Sequence, residues 1–234
     1  MLFRQLIDKE SATYSYLLAD QDSREAVLID PVLDQLPAYR QLLAELALTL
    51  VAVLDTHIHA DHVTASGHLA RELDCPNLLG REARADCVRR RYQEGTPIAF
   101  GRHKLIPIYT PGHTDDSYCF HLEADGKSMV FTGDTLLIRG TGRTDFQNGD
   151  AGAQYDAIQQ KLLALKDETL VYPAHDYKGW TVSTIGEERR HNPRLQVPDR
   201  DAYIALMAGL KLPHPKMMDL AVPANRHCGL DEAE

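Results

Sequence analysis

Apolar positions in the first third of the chain come in short runs, and further on they come at helical spacing. Phe3 to Ile7, Thr13 to Leu18 and Ala26 to Ile29 are short runs with strand character, and Asp30-Pro31 breaks the third. Leu36, Tyr39, Leu42, Leu43 and Leu46 then fall on one face of a helix, with Pro37 suited to its first turn. The run Leu48 to Leu54 predicts a buried strand, and a helix is expected from about Asp61 to Leu73. Strands are expected near Lys104–Tyr109, Tyr118–Glu123 and Lys127–Thr132, with a turn at Ala124-Asp125-Gly126. Ala153 to Leu165 reads as a helix, a strand ends at His175, and Glu187 to His191 lies in another helix. From about Val197 the pattern gives one short helix carrying Tyr203, Leu206, Met207 and Leu210, then a Pro-rich tail. No repeat, low-complexity segment or linker interrupts this order, so residues 1–234 are read as a single domain.

The chemistry concentrates where strands end. Thr56-His57-Ile58-His59-Ala60-Asp61-His62 follows the apolar run and packs three imidazoles and a carboxylate into seven positions. His57 and His59 are two apart, so an extended backbone projects them to one face. A lone strand histidine is usually structural, but this clustering is that of metal ligands. The logic recurs at Pro111-Gly112-His113, at Thr132-Gly133-Asp134 and at Pro173-Ala174-His175, each after an apolar strand. Ligands in open α/β sheets gather at the carboxyl ends of strands.

This ordered set resembles the metallo-β-lactamase superfamily. The resemblance implies an α+β fold, an αββα sandwich of two mixed sheets flanked by helices. Segments outside the ligands narrow it: Arg139-Gly140-Thr141-Gly142-Arg143-Thr144-Asp145-Phe146, Asp176-Tyr177-Lys178-Gly179-Trp180, Asn192-Pro193-Arg194-Leu195 and Ala221-Val222-Pro223-Ala224-Asn225-Arg226-His227-Cys228-Gly229. Together they look like the persulfide dioxygenases of the ethylmalonic-encephalopathy type. That resemblance implies oxidation of glutathione persulfide with O2 and water to glutathione and sulfite, at one Fe(II) per chain. It implies His57, His113 and Asp134 as the catalytic metal ligands, the arrangement of non-haem Fe(II) oxygenases.

The same resemblance makes His59, Asp61, His62 and His175 groups that orient the ligands, although in dinuclear relatives such residues bind a second metal. Arg143 is the candidate for a glutathione carboxylate, against a plain salt bridge with Asp145. Tyr177 is a candidate hydroxyl donor, against a core or rim tyrosine, and Arg139 orients the Arg143 loop. Cys228 either lines the site, is an oxidisable thiol or is a small buried hydrophobe. Cys75, Cys87 and Cys119 look inert, His68 reads as a packed histidine, and Glu187, Glu188, Arg189 and Arg190 read as a solvated helix face. The alternative function is a dinuclear thioester hydrolase of the glyoxalase II type, which shares both ligands and a glutathione substrate. A non-enzymatic member of the fold is the more distant alternative, and an intact ligand set opposes it.

Composition adds bounds. The chain has 234 residues, 44% hydrophobic and 25% charged, enough for a proper core. A net charge of −9 argues against nucleic acid or an anionic membrane as partner. No apolar run reaches a membrane span, and no signal or transit pattern opens the chain, so a cytoplasmic location is expected. The four cysteines are scattered without a Cys-x-x-Cys, which predicts four free thiols. A homodimer and a sulfurtransferase partner are implied by the family resemblance alone.

Overall fold

The structure, a computed structural model, describes residues 1–230. The chain folds as two units, one made of Met1–Tyr92, Ile98–Lys104 and the segment from His214, the other of Gln93–Pro97 and Leu105–Pro213.

The sheet of the first unit has the order β1 (Leu2–Asp8), β2 (Thr13–Ala19), β3 (Glu25–Ile29), β4 (Thr49–Leu54), β5 (Asn77–Gly80) and β6 (Arg90–Tyr92). β1, β2 and β3 are antiparallel neighbours, whereas β3, β4, β5 and β6 are parallel. A further short strand is β7 (Ile98–Phe100). β2 is buried along its whole length and β3 nearly so, as a continuous apolar run requires. Helices α1 (Leu36–Glu45) and α2 (Ser66–Glu72) cover this sheet. Leu36, Tyr39 and Leu43 of α1 and Leu69 of α2 join Leu17, Leu28 and Val53 in one core. Each fully buried leucine there stabilises by about 1.5–3 kcal/mol.

In the second unit the strands are β8 (His103–Tyr109, shared at its start with the first unit), β9 (Tyr118–Ala124), β10 (Lys127–Gly133), the hairpin β11 (Leu136–Leu137) and β12 (Gly140–Thr141), β13 (Leu170–Pro173) and β14 (Ser183–Thr184). β8 is antiparallel to β9 and β9 to β10, while β13 runs parallel to β10. The β9–β10 turn is where the sequence puts it, with Asp125 and Gly126 both left-handed, as a tight hairpin needs. Helices α3 (Ala151–Ala157), α4 (Ile185–His191) and α5 (Arg200–Ala208) are capped by Asp150, Thr184 and Asp199, each accepting from the amide three residues on. Such caps are worth about 1 kcal/mol apiece. Ile158, Leu162, Ile185, Tyr203 and Met207 pack on Cys119, Val130 and Val171 of the sheet.

Four features depart from the sequence pattern. The helix expected from Asp61 starts at Ser66, because residues 61–64 are held as a loop, with Thr64 bridged to Val32. The helix expected over 153–165 is α3 followed by a wider π turn at Ile158–Leu162. The short strands β5, β6 and β7 carry too few residues for a period to show. The tail contains a further helix, α6 (Met218–Arg226), with Pro223 inside it. Pro223 reads as a breaker because it removes one helical donor, but the buried face of Ala221 and Asn225 holds the helix in place.

Candidate metal centre

In the first unit β3 and β4 are parallel, so Asp30 and Asp55, the residues following them, lie at the same sheet edge. Asp30 organises what comes next. Its Oδ1 accepts from the Thr56 amide at 2.7 Å and its Oδ2 from Thr56 Oγ1 at 3.0 Å. With its proton committed to Asp30, Thr56 Oγ1 accepts from His57 Nδ1 at 3.0 Å. That fixes the His57 tautomer and leaves the Nε2 lone pair as its ligand atom. His59 Nε2 donates to Asp30 Oδ1 at 3.1 Å, and His62 Nδ1 donates to Asp61 Oδ2 at 2.7 Å. Thr13 also donates to that Asp61 oxygen. His59, Asp61 and His62 each offer a ligand atom within 4.8 Å of the others.

Burial by itself disfavours a charged His59, but Asp30, with Asp61 and Asp55, reverses this and lifts its pKa to about 9. Burial raises Asp55 to about 6. The loop backbone is held from α6. The Asn225 amide nitrogen donates to the carbonyls of His59 at 2.9 Å and His62 at 2.8 Å, and its oxygen accepts from the Thr64 amide. Thr64 Oγ1 in turn donates to Asp55.

In the second unit β8, β10 and β13 point the same way, so His113, Asp134 and His175 follow three strand ends on one edge. His113 Nε2 lies 3.5 Å from Asp134 Oδ2, and His175 Nε2 lies 3.7 Å from Asp134 Oδ1. The carboxylate thus sits between two imidazoles. His113 Nδ1 donates to the Arg143 carbonyl at 2.7 Å, which directs its Nε2 lone pair at Asp134. A Cβ on Gly142 would fall 2.1 Å from the Asp134 carbonyl oxygen and 2.8 Å from His113 Nδ1, so only glycine lets the loop approach this closely.

The metallo-beta-lactamase superfamily profile matches residues 8–175 of the chain. The human mitochondrial persulfide dioxygenase ETHE1 is 47% identical over 233 residues, covering 98% of this chain and 89% of the human one. The crystal structure of ETHE1 from Myxococcus xanthus superposes with a TM-score of 0.94 at 51% identity, covering 98% of this chain and all of that one. The chain belongs to the persulfide dioxygenase family of the metallo-beta-lactamase superfamily. It has the metallo-beta-lactamase fold, α+β with mixed sheets flanked by helices, and it is a sulfur dioxygenase. A probable hydroxyacylglutathione hydrolase of Schizosaccharomyces pombe is a more distant relative, 30% identical over 243 residues, covering 91% of this chain and 93% of its own. The hydrolase alternative therefore stands well behind the dioxygenase family.

The residues present in this persulfide dioxygenase fit a metal. Asp134 Oδ1 is buried without a hydrogen-bond partner among the described residues, as a carboxylate meant for a metal would be, and within the first unit His59 Nδ1 and His62 Nε2 are orphaned in the same way, which suits the ligands of a second metal. Burying such atoms unpaired costs about 1–3 kcal/mol each, and a cation removes that cost.

The candidate substrate residues are placed as follows. Arg143 Nε and Nη2 donate to the two Asp145 carboxylate oxygens at 2.7 and 2.8 Å, and Nη1 donates to the Pro213 carbonyl. Its guanidinium also lies over the Phe146 ring, 4.5 Å from the centroid. The Asp145 pairing is thus present, and it holds that carboxylate below its usual pKa. Tyr177 is 76% exposed, with its ring parallel to that of His175, so it is not a core tyrosine. Asp176 shapes this loop by accepting from the amides of Lys178 and Trp180. Arg139 donates to Glu188 and Glu187 and anchors the β11–β12 hairpin that leads into Gly142.

Two expectations need correction. Cys228 is not a free thiol, because it forms a disulfide with Cys87 across 141 residues, with Cα atoms 5.9 Å apart. Sequence spacing carries no sign of that pairing, since α6 brings the two together. Cys75 and Cys119 are the free cysteines, both buried. Glu188 is fully buried rather than solvated, accepting from Arg139, Ser183 and Asn192. His68 donates to the Gly229 carbonyl, as a packed histidine does. Sequence reasoning missed Asp30, Asp55 and Asn225. The first two carried a signal, a carboxylate at the end of a buried strand, whereas Asn225 stood only within a family-like segment that gave no sign of its contacts.

Proposed function

We propose that this chain oxidises glutathione persulfide with O2 and water to glutathione and sulfite, using one Fe(II) held by His57, His113 and Asp134. The likeness over nearly the full length to proteins named persulfide dioxygenases supports this reading most directly. Bound there, iron would supply the electrons that O2 chemistry needs and that redox-inert zinc cannot.

The chain's own residues have definable parts. His57 and His113 each donate from Nδ1, to Thr56 Oγ1 and to the Arg143 carbonyl, so each keeps Nε2 for the metal. The Asp134 carboxylate supplies the negative charge. Arg143 takes a glutathione carboxylate by exchanging Asp145 for it, and Tyr177, exposed beside His175, donates its hydroxyl to the tripeptide. His59, Asp61, His62 and His175 act on the metal's surroundings rather than as its ligands. A homodimer and a sulfurtransferase partner belong to the same proposal, and sedimentation and co-purification test them.

A two-metal reading rests on the His59, Asp61 and His62 group, whose ligand atoms lie within 4.8 Å of one another. One experiment separates the readings: O2 uptake with glutathione persulfide on protein whose metal has been counted. Uptake with about one iron per chain and sulfite as product supports the mononuclear enzyme. Two metals per chain with no uptake would overturn it.

A further inference from the structure

We propose that the Cys87–Cys228 disulfide is a thiol-responsive latch on the His59–His62 loop, with Cys87 the sulfur that an incoming low-molecular-weight thiol attacks. The exchange itself stands apart from the proposed function, whereas its consequence for a bound metal rests on that reading.

The latch is located by what the C-terminal segment holds. Asn225 bonds the carbonyls of His59 and His62 and the amide of Thr64. Three residues later the Cys228 carbonyl accepts from the Gly67 amide at 3.0 Å. The Gly229 carbonyl accepts from His68. Cys228 and Gly229 are both left-handed, and a Cβ on Gly229 would fall 2.0 Å from the Thr64 carbonyl oxygen. The segment 225–229 therefore lies directly on the loop that carries His59, Asp61 and His62. Its covalent tie to the rest of the unit is the bond from Cys228 to Cys87.

The two sulfurs differ in a way that sets the direction of exchange. Cys228 is fully buried, whereas Cys87 is half-buried in the loop before β6. The Asn77 amide nitrogen lies 3.0 Å from Cys228 Sγ and is placed to donate to a thiolate there. A thiolate attacks where it has access and expels the better-stabilised sulfur. An external thiolate thus bonds to Cys87 Sγ, the Cys87–Cys228 bond breaks, and the electron pair leaves on Cys228 Sγ. A second thiolate attacks the external sulfur of the mixed disulfide and releases Cys87 as thiolate. Both protein thiolates then take protons from solvent. Two external thiols are oxidised to one disulfide, and the protein disulfide is reduced by two electrons. The reductant class is a small soluble thiol such as glutathione.

The test uses the full chain, oxidised or equilibrated with reduced glutathione, and the variants C87S and C87V. Alkylation with mass analysis counts thiols. Hydrogen exchange reads the amides of Thr64 and Gly67, and transfer to a chelator reads metal release. The expected result is two extra thiols in folded protein after glutathione. Exchange at Thr64 and Gly67 and metal release should each quicken by about tenfold. Both variants should match the reduced protein and ignore glutathione. The proposal is overturned if oxidised protein lacks the disulfide, if reduction requires unfolding, or if exchange at Thr64 and Gly67 is the same in all forms. Failure of the dioxygenase reading would show separately, as no O2 uptake in either redox state with the thiol and exchange results intact.

Discussion

The Nδ1 of His113 donates to the carbonyl oxygen of Arg143 at 2.7 Å, so a candidate metal ligand is oriented by the backbone of a candidate substrate residue. That contact exists because Gly142 has no side chain: a Cβ there would overlap both His113 and the Asp134 carbonyl. Gly142→Ala should turn His113 away from Asp134. Metal content and O2 uptake should fall together, by about 10–100-fold in affinity or rate. Metal analysis beside circular dichroism checks this, and an alanine variant with full metal and full rate would refute the steric argument.

Asn225→Ala should destabilise the protein by about 1–3 kcal/mol, since it strands the buried carbonyls of His59 and His62 and the Thr64 amide. Asn225→Asp keeps the acceptor but loses the donor, and should fall on the same side of wild type. Thermal melts of metal-free and metal-loaded protein measure both.

Arg143→Ala should raise KM for glutathione persulfide more than it lowers kcat, because the guanidinium is assigned to binding. Asp145→Ala, which frees Arg143 of its bidentate partner, should lower KM or leave it unchanged. A steady-state comparison of the two variants decides the point. Equal losses in both would mean that the Arg143–Asp145 pair is a structural brace.

The stability of the metal-free protein should fall as pH rises between about 6.5 and about 9. His59 is raised to about 9 in the fold against an ordinary value of about 6.5. Its imidazolium therefore stabilises fully below the ordinary value, and the contribution fades as pH climbs through the folded one. The effect is up to about 3 kcal/mol. His59→Gln should flatten that slope, as urea melts at several pH values would show. A slope unchanged by the substitution would place its origin elsewhere.

The sequence by itself determined the strand ends and what stands on them. Apolar runs ending in His57, His113, Asp134 and His175 were legible because strand periodicity and ligand clustering are local properties of the chain. Family likeness was legible for the same reason, since its motifs are contiguous. Tertiary structure decided which residues support those ends. Asp30 reaches Thr56 and His59 because β3 and β4 are parallel neighbours, and Asn225 reaches the loop from a helix more than 160 positions away. It also turned Glu188 inward onto Arg139 and joined Cys87 to Cys228. These contacts are made between segments whose meeting depends on how sheets and helices pack, and no local spacing records that packing.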